Sequence, residues 1–127
     1  RFLGRQSDEA VRDHFRRCRA FVFPGEEDFG ITPVEAQAAG RPVIAFGRGG
    51  ARETVLDGQT GMFFAEQTAQ SLMDAVRGFQ GTRFDRQICR ENARRFGAER
   101  FRREIAEFVD ARYARFCQNG RAEGGSP

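Results

Sequence analysis

The sequence contains no lysine: all 21 basic side chains are arginines, and 18 acidic residues nearly balance them to leave a formal charge of +3. Acids are interspersed through every arginine-rich stretch, which argues against a nucleic-acid footprint and for a solvated, ion-paired surface. Long apolar runs are missing as well. Nothing approaches the ~20 uninterrupted apolar residues of a membrane span, and Arg1-Phe2-Leu3-Gly4 has no signal-peptide shape. Three cysteines, Cys18, Cys89 and Cys117, have neither an even count nor metal-ligand spacing, which excludes a disulfide framework or zinc site and implies reduced thiols. His14, the one histidine, has no nucleophile or ligand partner nearby in sequence and reads as a surface or half-buried structural residue. The expectation is a cytoplasmic domain with no cofactor and no metal. At 127 residues it can bury one core but is short for an enzyme that must hold two substrates.

What the chain does contain is an alternation of short apolar runs and helix-length amphipathic segments. Ser7 caps a first helix ending near Arg17, on which Val11, Phe15 and Cys18 share a face. Phe2-Leu3-Gly4 before it reads as the tail of a strand. The central stretch runs from Phe21 to Phe46: an apolar run closed by Pro24-Gly25, an acidic loop, a helix, and a second run from Pro42 to Phe46. A crossover helix between two such runs makes the strands parallel. Pro33 is tolerated only in a first helical turn, so the helix starts at Thr32 or Pro33. Thr32 and Glu35 then match a capping box, and Gly40 ends the helix.

Beyond the flexible turn Gly47–Gly50 come a short helix at 51–55, a strand at Met62-Phe63-Phe64 and a helix capped by Thr68. From Asp85 the pattern is helical with a break near Gly97, and pairs such as Glu91 with Arg95 and Glu99 with Arg103 have i,i+4 spacing. The expected fold class is α/β, a Rossmann-like three-layer parallel sheet with helices on both faces, ending in long helices. Residues 1–117 form the domain and 118–127 a disordered tail. Ligands in such sheets sit beyond the carboxyl ends of the strands, where the acidic loop lies.

The stretch Pro24-Gly25-Glu26-Glu27-Asp28-Phe29-Gly30-Ile31-Thr32-Pro33-Val34-Glu35-Ala36, continued by Gly40-Arg41-Pro42-Val43-Ile44, resembles the Glu-x7-Glu signature of retaining, family-4 (group 1) glycosyltransferases of GT-B fold. Phe2-Leu3-Gly4, Gly49-Gly50-Ala51-Arg52-Glu53 and Asp57-Gly58-Gln59-Thr60-Gly61 extend the match over residues 1 to 80. The resemblance implies part of the C-terminal, nucleotide-sugar-binding half of such an enzyme. It lacks the basic Gly-Arg-x-x-x-Lys-Gly-like segment and the acceptor domain, so the chain alone is expected to be inactive.

By the same resemblance, Glu27 approaches hydroxyls of the transferred sugar and is the one carboxylate to nominate as catalytic. Glu35 accepts hydrogen bonds from the ribose. Phe29, Gly30, Ile31 and Thr32 present backbone N–H groups to the β-phosphate or sugar oxygens, and Gly4, Arg5 and Gln6 lie beside the nucleobase. Asp28, where the family often has glycine, gives a variant similar to members using GDP-mannose. The implied partners are a nucleotide-sugar donor and a glycan or lipid-linked acceptor, the latter at the inner membrane surface, with no nucleic acid and no membrane span. Arg48 and Arg52 are alternative phosphate clamps, with surface solvation the competing reading for each, and Glu53 reads as a capping or salt-bridging residue of the short helix rather than a donor contact. A non-catalytic nucleotide or sugar-phosphate binding module, and another GT-B enzyme such as a phosphorylase or epimerase, remain alternatives.

Overall fold

The computed structural model describes residues 1–123, with side chains through Asn119. Two compact units divide the chain, Arg1–Arg95 and Phe96–Pro127.

The first unit is built on three parallel strands, β1 (Phe21–Phe23), β2 (Val43–Phe46) and β3 (Gly61–Phe64), in the order β1-β2-β3. Phe21 pairs with Val43, and Val43 with Gly61, so the strands start level. All four residues of β2 are buried, because a central strand alternates its side chains into both layers of core. Val43 and Ala45 point into a cluster with Phe15, Phe23, Ala36, Ala51 and Val55. Ile44 and Phe46 point the other way, into a cluster with Phe64 that Met62, Leu72, Val76 and Phe79 complete. The first cluster is roofed by helices α1 (Asp8–Arg17) and α2 (Ile31–Ala38) and the short α3 (Ala51–Thr54), the second by α4 (Ala69–Gln80). Helices therefore cover both faces of a parallel sheet, as the alternating pattern predicts. Helix α5 (Arg86–Arg94) packs against α2.

Local chemistry explains most boundaries. The Ser7 hydroxyl accepts from the Ala10 N–H at 3.3 Å, Thr68 from Ser71 at 3.2 Å, and the Asp85 carboxylate from Gln87 at 2.6 Å. At the end of α2 the Gly40 N–H donates to the Gln37 carbonyl at 2.8 Å and the Arg41 N–H to the Ala36 carbonyl at 2.9 Å. This is a Schellman motif, and it requires the left-handed φ of 74° that Gly40 adopts.

Two local expectations fail. Residues 1–5 form no strand and Phe2 is fully exposed; an extended segment without a ladder partner has nothing to satisfy its backbone. Helix α2 begins at Ile31, capped by Gly30 at φ 75° with no side-chain hydrogen bond, so the Thr32–Glu35 capping box does not form. With the cap two residues earlier than the box requires, at Gly30 instead of Thr32, Thr32 stands inside the helix and Glu35 lies in its second turn, out of reach of a cap.

The second unit holds helix α6 (Ala98–Glu123), along which Arg100 pairs with Glu104 at 2.6 Å and Arg103 with Glu107 at 4.0 Å. Of the tail expected from residue 118, residues 118–123 lie in this helix and 124–127 fall outside the described residues. Among the described residues no helix is long and apolar enough to cross a membrane.

Candidate functional site

The carboxyl ends of the three strands release three loops, and hydrogen bonds tie these loops together. The acidic loop leaves β1 after Phe23 and carries Glu26, Glu27, Asp28 and Phe29 to the start of α2. Its middle is held by the next loop, where the Gly50 N–H donates to the Glu27 carbonyl at 2.7 Å. Its start is held by the third, where the Gln67 amide donates to the Pro24 carbonyl at 2.8 Å. The backbone of the acidic loop is thus fixed while its carboxylates remain exposed.

The contact with the second loop leaves no room for side chains. A Cβ on Gly50 would stand 2.3 Å from the Phe29 Cα and 2.4 Å from the Asp28 carbonyl oxygen, and one on Gly49 would stand 2.5 Å from the Glu27 carbonyl oxygen. Both neighbours are backbone and cannot swing aside. Gly49-Gly50 is the seat of the acidic loop, a role its reading as a flexible turn missed.

Glu27 and Asp28 are exposed, and no ion pair or side-chain hydrogen bond occupies their carboxylates among the described residues. Free carboxylates on an anchored backbone suit acceptance of two or more hydroxyl donors. Behind them, the start of α2 offers the N–H groups of Gly30, Ile31 and Thr32, which no side chain caps. Gly30 is buried, and its φ of 75° is what favours glycine there, since a Cβ would only touch the Phe23 ring at an ordinary 3.4 Å. Phe29 and Ile31 are exposed, at 40% and 66%.

Glu35 is four residues beyond Ile31, about 6 Å along the same helical face. It is exposed and lines a groove of about 520 Å³ between α1 and α2, with Asp8, Val11, Arg12 and Phe15. Gly4, Arg5 and Gln6 precede that groove's Asp8; the Gln6 amide donates to the Leu3 carbonyl at 2.7 Å, folding the turn back on itself. The two acids are therefore served by different surroundings: Glu27 by the loop edge, Glu35 by the groove. Of the alternative phosphate clamps, Arg48 lies 5.8 Å over the Phe46 ring and Arg52 is exposed on α3.

A buried polar network, which sequence reading did not single out, braces this arrangement from behind. The fully buried Gln37 amide donates to the carbonyls of Pro33 at 3.1 Å and Thr54 at 2.8 Å. Asn92 of α5 donates to the Gln37 side-chain oxygen at 2.7 Å and to the same Thr54 carbonyl at 2.9 Å. The Thr54 hydroxyl donates to the Gly50 carbonyl at 3.1 Å. A continuous chain of hydrogen bonds thus runs from α5 through α2 and α3 to the glycine that holds Glu27. The available signal was Gln37 at helical spacing with Pro33, Ala36 and Gly40, which places an amide on the buried stripe.

Two of the three cysteines are shielded. Burial pushes the Cys89 thiol above its ordinary 9.0, helped by the Asp85 carboxylate and opposed by a backbone hydrogen bond. Burial also raises Cys18, against the opposing charge of Arg41 and a backbone hydrogen bond.

The family description "Glycosyl transferases group 1" matches residues 1–96, which is the first unit almost residue for residue. The chain belongs to the group 1 glycosyltransferase family. It is 33% identical over 95 residues to an uncharacterized glycosyltransferase of Methanocaldococcus jannaschii, covering 74% of this chain and 27% of that protein. It is 54% identical over 44 residues to the alpha-1,3/1,6-mannosyltransferase of Dictyostelium discoideum, 35% of this chain and 10% of the relative. Among solved structures, sucrose-phosphate synthase from Thermosynechococcus elongatus superposes with a TM-score of 0.73 at 27% identity, covering 90% of this chain and 30% of that one. The chain spans less than a third of the length of each of these proteins.

Proposed function

We propose that this chain is the donor-binding portion of a retaining glycosyltransferase of GT-B fold, and that the sugar donor lies along the carboxyl edge of the sheet. The observation that carries the reading is the acidic loop: within a family-matched unit, unpaired carboxylates sit on a backbone fixed by Gly50 and Gln67, directly before an uncapped helix start. Glu27 takes hydroxyls of the transferred sugar. The N–H groups of Phe29, Gly30, Ile31 and Thr32 face the diphosphate, whose charge the helix dipole favours. Glu35 takes the ribose hydroxyls within its groove, and Gly4, Arg5 and Gln6 flank the base. The structural bland reading of Glu35 as a capping acid is removed by the helix starting at Ile31, which strengthens its assignment to a ligand.

The transfer proceeds by attack of the acceptor hydroxyl on the anomeric carbon from the face that the diphosphate leaves. The bond from that carbon to the diphosphate oxygen breaks, and the hydroxyl proton passes to the departing diphosphate. Helix N–H groups stabilise the charge that develops there. Glu27 orients the sugar in this scheme, and is the nucleophile only if a covalent step intervenes. A mannosyl donor on GDP is the first choice, supported by the acidic residue at position 28 and by the activity named for the Dictyostelium relative. Acceptor binding, to a glycan or lipid-linked sugar, belongs to sequence outside this chain, and the chain alone does not turn over.

Ligand-observed NMR of the chain against GDP, UDP, ADP and their sugar conjugates tests the reading. The expected result is selective binding of one nucleotide that weakens at least about tenfold, ~1.4 kcal/mol, in Glu35→Ala. Binding of no nucleotide by the folded chain, or equal binding by the variant, overturns the site.

A further inference from the structure

A second charged site lies at the opposite, amino edge of the sheet. Arg19 enters β1, Arg41 enters β2, and Arg86 opens α5; together they line a recess of about 240 Å³. Every charged side chain lining it among the described residues is an arginine. A fourth, Arg90, is adjacent: its Nε lies 3.1 Å from where a Cβ on Gly40 would stand. The wall is formed by Phe79 and Phe84, whose rings stack with centroids 5.4 Å apart and 11° between planes.

In so arginine-rich a chain a cluster needs a reason to be more than chance, and the buried, unsatisfied nitrogen of Arg41 beside a recess charged by arginine alone supplies one. Among the described residues four arginines pair with acids one helical turn away, Arg17–Asp13, Arg77–Asp74, Arg100–Glu104 and Arg103–Glu107, and all four lie on helix surfaces outside the recess. Among the described residues none of Arg19, Arg41, Arg86 and Arg90 has a carboxylate within ion-pairing distance. The Nε of Arg41 is buried with no acceptor at all, although another nitrogen of the same guanidinium donates to the Arg16 carbonyl. Like charges gathered around a recess, one of them carrying a buried nitrogen without an acceptor, are stabilised by an anion.

We propose that this recess binds the phosphate group of a small soluble phosphate ester, at a site separate from the donor edge. Guanidinium forks approaching from three elements match the several acceptor oxygens of a phosphoryl group better than the two of a carboxylate. The stacked phenylalanines give the organic part of the ester an apolar face to lie on. Such a ligand bridges the starts of β1, β2 and α5, and so acts on the first unit from the edge opposite the transfer chemistry.

The test is backbone NMR of the intact chain titrated with pyrophosphate at two salt concentrations. Saturable shifts are expected at Arg19, Gly40, Arg41 and Arg86, with affinity lost about tenfold or more in the exposed pair Arg19→Gln with Arg86→Gln. A control pair of equal charge change on α6, Arg112→Gln with Arg115→Gln, is expected to leave the affinity unchanged. Resonances 27–35 report the donor edge independently, so failure at one edge is distinguished from failure at the other. Shifts that do not saturate, or an equal loss in the control pair, would reduce the cluster to diffuse counterion attraction and overturn the site. Shifts produced by phosphatidic acid vesicles but not by pyrophosphate would overturn the assignment to a soluble ligand.

Discussion

Asn92 shows how much a single amide can carry. Its side-chain N–H groups satisfy both Gln37 and the Thr54 carbonyl, and its oxygen accepts from Arg95 at 2.9 Å. Removing it leaves the buried Gln37 side-chain oxygen without a donor and the Thr54 carbonyl with one donor in place of two. Asn92→Ala is expected to destabilise the fold by about 1–3 kcal/mol, read as a lowered midpoint in urea with an unchanged slope. Glu35 is the contrasting case. Being exposed and outside any cap, Glu35→Ala should shift stability by no more than about 0.5 kcal/mol while weakening nucleotide binding, so a stable variant that binds normally would return Glu35 to the solvated surface. Thiols divide the same way. Cys117 is exposed and should react first with a disulfide reagent at pH 8, whereas Cys89, buried with its pKa raised, should react only as the chain unfolds. The sign follows for stability too: the unfolded thiol releases its proton first, so the contribution of a neutral Cys89 is complete below pH 9.0 and falls as pH rises beyond it. The acids proposed for the site stand out in the sequence because they lie in a dense local motif. Gln37 and Asn92 do not, because their partnership spans 55 residues and no local pattern encodes it.

At the scale of elements, the sequence pattern predicts the strands, the parallel crossover and the caps at Ser7, Thr68 and Gly40, each of which depends on neighbours a few residues away. The strand tail expected at Phe2-Leu3-Gly4, which finds no ladder, and the start of α2 were the exceptions. Thr32, Pro33 and Glu35 spell a capping box, yet Gly30 adopts φ 75° and the helix begins at Ile31. The tertiary contact explains the outcome: Gly30 fits against the Phe23 ring and the preceding loop is held down on Gly49-Gly50, which fixes where the chain can turn into the helix. That dependence is testable at Gly50. Its substitution by alanine puts a Cβ into the Phe29 and Asp28 backbone, and relief requires moving the acidic loop. Gly50→Ala is expected to cost about 1–3 kcal/mol in stability and to abolish detectable nucleotide binding, since it displaces Glu27 and the helix start together. A variant that is destabilised but binds normally would show that the loop's seat does not set the geometry of the ligand edge.

For the whole molecule, the division after Arg95 coincides with the end of the family match at residue 96. Both hydrophobic clusters draw their residues from Phe15 to Phe79, and the network that braces the site ends at Arg95. Among the described residues neither core includes a side chain of α6, whose Phe101, Phe108, Tyr113 and Phe116 are each more than half exposed. Residues 1–95 thus contain every interaction identified as holding the sheet and the acidic loop. A chain ending at Arg95 is expected to unfold cooperatively, with a thermal midpoint within a few degrees of the full chain, and to give the same nucleotide response. Circular dichroism should lose the signal of α6 and keep that of the remaining helices. If the shortened chain instead melts without a cooperative transition, α6 supplies stability that the two clusters lack, and the first unit is not an independent folding unit. If it folds but fails to bind nucleotide, the ligand edge depends on sequence beyond the family match. Retention of both properties would confine the donor chemistry to the carboxyl edge of three short strands.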